Sequence, residues 1–229
     1  MTAPVITIDG PSGTGKGTIS RLLAKNLGWH MLDSGALYRL VAFGAENNGY
    51  ALDDETSLAE YARHLEVRFL TDSAHGEPLV MLENADVTDT IRTEVAGNNA
   101  SKVAALPAVR EALLARQRDF CQDPGLVADG RDMGTTIFPD ALLKIYLTAS
   151  AEIRAERRHK QLKEKGISVS LPGLVKEIAE RDERDSQRSV SPLRPAQDAV
   201  VIDTTDMGIE AVFERVELLC KERLEPTNV

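Results

Sequence analysis

Nine residues near the N-terminus, Gly10-Pro11-Ser12-Gly13-Thr14-Gly15-Lys16-Gly17-Thr18, constrain this chain more than any other stretch. The apolar run Val5-Ile6-Thr7-Ile8 precedes them, and a helical pattern over about 16–26 follows. Strand, glycine loop, lysine, helix is the order that cradles the phosphates of a nucleoside triphosphate. The glycines let several backbone N–H groups converge on one anion. The helix aims the positive end of its dipole at the same anion, and Lys16 adds a full charge. One position departs from the general pattern. Gly17 stands where a Ser or Thr hydroxyl usually meets Mg²⁺, and the hydroxyl comes one residue later, at Thr18. The spacing specifies bound phosphates and leaves the reaction open.

Apolar runs at 29–33, 126–129, 142–147 and 199–203 add four more core strands. Helical patterns separate them, at 34–47, 58–65, 88–105, 107–121, 149–165, 171–188 and 209–224. Gly28 suits the end of the first helix and Ser34 the N-cap of the second. Such alternation predicts a five-stranded parallel sheet with helices on both faces. Its ligands bind at the carboxyl ends of the strands, where the glycine loop, Asp33, Asp129 and Asp203 fall. Between 66 and 87 the character changes. Runs at 67–70, 78–82 and 85–87, with turns at 73–76 and 83–84, predict a small three-stranded antiparallel insert.

The chain has 229 residues, enough for one large domain or a core with an insertion. A net charge of −9 argues against a general nucleic-acid or anionic-membrane surface, so any basic cluster is local. No apolar run reaches the roughly 18 residues of a membrane span. The first strand begins too early to leave room for a signal peptide. Cys121 and Cys220 lie far apart, outside metal-ligand spacing, and read as buried or neutral thiols in a reducing compartment. His30, His64, His75 and His159 are scattered and read as structural or surface residues.

Four stretches carry candidate chemistry. In Asp33-Ser34-Gly35-Ala36-Leu37-Tyr38-Arg39, Arg39 sits early on a helix, placed to grip a second phosphate; a capped helix with a surface arginine is the plain alternative. In Asp129-Gly130-Arg131-Asp132-Met133-Gly134, a carboxylate ends a buried strand, as on the Mg²⁺ side of phosphoryl-transfer sites. An ion-paired turn is the competing reading. Arg154, Arg157 and Arg158 share one helix face, as do Arg181, Arg184 and Arg188. Arginine stripes are usually solvated faces. Beside a phosphate loop they are also the equipment that closes over a migrating phosphoryl group.

Together, 10–18, Leu32–Arg39, Asp129–Thr135 and the Arg-Asp-x-Arg-Asp-x-x-Arg pattern at 181–188 resemble the bacterial cytidylate kinases, a branch of the P-loop nucleoside monophosphate kinases. The resemblance covers nearly the whole chain, insert included. It implies a single P-loop kinase domain. The core is about 1–33, 88–148 and 189–229, the monophosphate-binding region with its insert about 34–87, and the lid about 150–170. It implies transfer of the γ-phosphoryl of ATP to CMP or dCMP by a cytoplasmic monomer, with Mg²⁺ and without nucleic acid or membrane partners. Residues 10–18 with Arg154 and Arg158 would hold ATP. Lys16, Arg131 and Arg157 would act on the transferred group. Ser34, Tyr38, Arg39, Ser101, Arg110, Arg131, Asp132, Arg181, Asp185 and Arg188 would hold CMP. Thr18, Asp33 and Asp129 would face Mg²⁺, mostly through water. Two rivals share the phosphate loop: a kinase for a small non-nucleotide acid or alcohol, and a nucleotide-binding switch with no acceptor.

Overall fold

The structure, a computed structural model, describes residues 3–71, 78–164 and 166–224. The expected turn at 73–76, His75 within it, and Lys165 at the expected end of a helix lie outside the described residues. In chain order the elements begin with β1 (Val5–Asp9), α1 (Lys16–Leu27), β2 (His30–Asp33), α2 (Ser34–Asn47) and α3 (Glu55–Arg63). There follow β3 (Val67–Thr71), β4 (Pro78–Leu82), β5 (Ala85–Asp86), α4 (Glu94–Val103) and α5 (Pro107–Asp119). The chain then forms β6 (Leu126–Gly130), β7 (Leu143–Thr148), α6 (Ala151–Glu164), α7 (Leu171–Ser186), β8 (Val200–Asp203) and α8 (Ile209–Leu224).

Two compact units result, Met1–Asp33 with Gln117–Val229, and Ser34–Arg116. The first holds the expected parallel sheet, in the order β2-β6-β1-β7-β8. β1 and β6 are buried along their whole length, which is why both read as unbroken apolar runs. Ile6, Ile8, Val127, Ile145 and Leu147 of the sheet pack with Ile19 and Leu23 of α1 and Val212, Val216 and Cys220 of α8. α1 stops at Gly28, which is left-handed (φ 66°), and Trp29 N donates to Ala24 O at 2.9 Å. α6 and α7 pair around Ala155, Leu162, Leu174 and Ile178. Among the described residues no helix is long and apolar enough to cross a membrane.

The second unit holds the antiparallel sheet β3-β4-β5, with α2 packed on α3 and α4. It runs on through Arg116, where the sequence pattern closes it near 87, because α4 packs on α2 and α5 contributes Ala108 N to Glu55 Oε1. Local hydrogen bonds also move several helix ends. The expected helix from 88 starts at Glu94, since Thr88 is engaged with Val80 N and Asp86 Oδ1 while Thr93 Oγ1 caps Ala96 N. Asp54 caps Ser57 N and starts α3 at Glu55, ahead of the expected Leu58. Ser34 is the first residue of α2 rather than its cap. α5 ends at Asp119, which leaves Cys121 beyond it. α7 ends at Ser186, so Arg188 follows the helix instead of continuing its stripe.

Gly44, inside α2, leaves space for the ring of Tyr61 on α3. A Cβ there would sit 2.0 Å from Tyr61 Oη, whose hydroxyl donates to Glu83 Oε1 at 3.1 Å. Gly44→Ala is expected to destabilise the protein by about 1–3 kcal/mol, outweighing the roughly 1 kcal/mol gained in helix propensity. A urea midpoint at or above that of the wild type would show that the ring yields without cost.

Candidate active site

The first unit assembles the phosphate loop at the mouth of its sheet. Gly10 leaves β1 at φ 147°, and a Cβ there would lie 2.1 Å from Leu147 O on β7. Only glycine allows the loop to turn so close to the neighbouring strand. The loop then curls so that Lys16 Nζ and Thr14 Oγ1 both donate to Pro11 O, at 3.0 and 3.1 Å. Lys16 is 9% exposed. Burial pulls its pKa from 10.5 down to about 7, helped by the positive charges of Arg131 and Arg181 and opposed by Asp129 and Asp33.

Gly17 acquires a reason here. A Cβ at this position would approach Asp129 Oδ2 to 3.1 Å. The missing side chain lets the carboxylate that ends β6 come against the first turn of α1. Asp129 is buried, and burial raises its pKa to about 7 against the pull of Lys16. Asp33 is its register partner on β2 and is exposed. Among the described residues no group of three or more His, Cys, Asp or Glu forms a metal cage. Mg²⁺ in phosphoryl-transfer sites takes one or two carboxylates, several waters and the phosphates themselves, so Asp33, Asp129 and the Thr18 hydroxyl fit it.

Arginines enclose the loop. Arg131 Nη2 donates to Ser12 Oγ at 2.9 Å, and its Nε to Asp185 Oδ2 at 3.2 Å. Arg188 pairs with the other oxygen of Asp185, and both side chains are nearly fully buried. Asp132, next to Arg131, is 2% exposed. The three arginines of α6 part company. Arg154 donates to Ser12 O at 3.0 Å and to Ala149 O at 3.0 Å and pairs with Asp182. Arg157 reaches Thr204 Oγ1 at 3.0 Å and Met207 O at 3.2 Å. Arg158 donates to Gln161 Oε1 at 3.3 Å.

Arg181 lies on α7 of the first unit, and the remaining expected acceptor residues belong to the second unit. Ser34, Tyr38, Ser101 and Arg110 are buried there. The Arg110 guanidinium lies over the Tyr38 ring, 5.6 Å from its centre, and donates to Ala104 O. Arg39 Nη1 donates to Ile91 O at 2.8 Å.

Two contributors escaped the reading of the sequence, Asp9 and Thr204, and a third, Asp182, stood in it only as an acidic residue interleaved with the 181–188 arginines. Asp9 ends β1 and accepts from the amides of Met133 and Gly134. Asp182 holds Arg154. Thr204, fully buried, receives Arg157 and donates to Thr148 O at 3.0 Å. An acidic residue directly before the glycine loop was a visible signal for Asp9. Asp182 stood in the 181–188 pattern without an assigned role, and Thr204 carried no signal apart from its partner.

A family model described as cytidylate kinase matches residues 6–222. The chain is 60% identical over 221 residues to a cytidylate kinase of Pseudomonas aeruginosa, covering 96% of each. It is 61% identical over 214 residues to a cytidylate kinase of Pseudomonas syringae pv. tomato, with 93% of each covered. To a cytidylate kinase of Azotobacter vinelandii it is 59% identical over 212 residues, again with 93% of each covered.

Proposed function

The chain belongs to the cytidylate kinase family, and we propose that it transfers the γ-phosphoryl of ATP to CMP or dCMP, giving ADP and CDP or dCDP. One observation carries this reading beyond triphosphate binding. The phosphate loop is joined through Arg131 to a second, separately charged group, Asp185 with Arg188. A switch that only holds or hydrolyses a triphosphate has no need of that second group.

In this reading residues 10–18 hold the ATP phosphates. Lys16 bridges donor and transferred group, and phosphates entering the loop replace Pro11 O as its partner. Phosphoryl transfer leaves the protein little covalent chemistry, so catalysis is alignment and charge stabilisation in a dry site. Arg131 neutralises charge between donor and acceptor phosphates. Asp132 accepts from the sugar hydroxyls. Asp185 and Arg188, with Arg181, offer an acceptor and donors suited to the amine and carbonyl of cytosine. Ser34, Tyr38, Arg39, Ser101 and Arg110 complete the CMP contacts. Arg154, Arg157 and Arg158 serve ATP and the transition state from the lid. Asp33, Asp129 and Thr18 would hold Mg²⁺ largely through water, and the ion would supply charge neutralisation at the donor phosphates. The acceptor phosphate is already anionic, so no general base is required. We assign the protein to the cytoplasm, as a monomer.

ADP release should be followed with Mg·ATP against CMP, dCMP, UMP, AMP, GMP and shikimate. CMP and dCMP are expected to give the largest rates. Release at the buffer rate with both would end the proposal. Shikimate turnover would favour a small-acid kinase, and slow acceptor-independent release a switch.

A further inference from the structure

The turn after β6 carries Arg131 and Asp132, yet its anchor comes from a different strand. Asp9 Oδ1 accepts from Met133 N at 2.9 Å, and Oδ2 accepts from Gly134 N at 2.8 Å. Both carboxylate oxygens are thus spent on two successive amides. Asp9 is 4% exposed, and the β1 backbone around it is in register with Gly130 of β6 and Tyr146 of β7. The acceptor therefore sits on the most enclosed strand of the sheet. The turn also lies flush on β1: a Cβ at Gly134 would come 2.8 Å from Thr7 Oγ1. Downstream, Thr136 N and Ile137 N both bond Asp132 O, so the turn is tied on each side of the anchored amides.

We propose that Asp9 is a positioning residue: it clamps the Met133–Gly134 amides to β1 and so sets how Arg131 and Asp132 face the acceptor nucleotide. The role of the clamp in catalysis rests on the kinase reading above; the clamp itself does not. Burial raises the Asp9 pKa from 3.8 to about 7, and the bonds from the Gly134 and Met133 amides oppose that rise. An asparagine preserves the shape but offers one acceptor oxygen, and its amide meets a backbone N–H with another N–H. The clamp loses one arm while the strand keeps its packing. Arg131 and Asp132 then sample wider orientations, whereas the glycine loop loses no more than the Arg131–Ser12 contact and keeps the backbone form that holds the ATP phosphates.

The test combines hydrogen exchange with steady-state kinetics. In the nucleotide-free wild type, the Met133 and Gly134 amides are expected to exchange as slowly as those of β1. In Asp9→Asn at least one should exchange about tenfold faster or more. The KM for CMP should rise roughly 10–100-fold, with that for ATP within about twofold, as for loss of an outer-shell orienting group. Loop-like exchange in the wild type, or unchanged exchange in the variant, overturns the clamp whether or not the variant is stable enough to assay. Faster exchange with CMP and ATP affected equally, or not at all, overturns the link to Arg131 and Asp132. Failure of the wild type to phosphorylate CMP would overturn the kinase reading, while the exchange data would still judge the clamp.

Discussion

Lys16→Met is expected to lower kcat for CMP phosphorylation by roughly 10²–10³-fold, the cost of removing one pre-aimed charge from a dry site, while leaving the nucleotide-free protein at least as stable near pH 7. The two effects share a cause. Lys16 is nearly buried, and its ammonium donates to Pro11 O at 3.0 Å, a neutral acceptor. A cation held there without phosphate is costly, and that cost appears as the pKa drawn down to about 7. The folded pKa is below the unfolded value of 10.5. The stability Lys16 contributes is therefore fully present only above 10.5 and is lost as pH falls through about 7. Removing the amine should help most at and below neutral pH and progressively less toward pH 10.5. Urea midpoints of the wild type and Lys16→Met, compared across this range without metal or nucleotide, read the difference. A gap that is constant, or that widens with pH, would show that the lysine is not desolvated. Unchanged kcat would remove Lys16 from the chemistry.

Arg188→Ala is expected to raise the KM for CMP by roughly 10²-fold while that for ATP changes by no more than about threefold. Arg188 and Arg131 hold opposite oxygens of Asp185, whose side chain is 2% exposed. Truncating Arg188 takes one cation from a buried carboxylate and removes a donor from the acceptor pocket. Such losses cost more than an exposed pair, because the remaining charge stays desolvated. Part of the effect will appear as reduced stability, so the kinetics belong at a temperature where the variant is fully folded. Equal loss of CMP and ATP affinity would sink the acceptor role.

The architecture was largely legible because its signals are local and periodic. Apolar runs gave the five core strands, and the shift to short strands at 66–87 gave the insert. Helix starts were less legible. Whether Thr88 or Thr93 caps a helix depends on a hydrogen bond to Val80, eight residues away, and not on propensity. The unit boundary at Arg116 likewise depends on α4 packing against α2.

The arginines mark the limit most clearly. Offsets of three and four put Arg154, Arg157 and Arg158 on one face of α6, and they do share that helix. A helix face sets where a side chain starts, while a long arginine ends wherever acceptors lie. Arg154 finds Ser12 O and Asp182, Arg157 the turn at Thr204 and Met207, and Arg158 reaches Gln161 on its own helix.

The sequence by itself determined the phosphate loop, the parallel sheet and the residue types able to grip two phosphates, because each is written in a short stretch. Tertiary structure alone decided three things. Gly17 is open because Asp129, more than a hundred residues later, presses against it. Lys16 is electrostatically poised because burial strips its water. The turn bearing Arg131 and Asp132 is clamped by Asp9 because parallel pairing sets β1 beside β6. Desolvation and long-range pairing arise only when distant segments meet, and no local pattern encodes them.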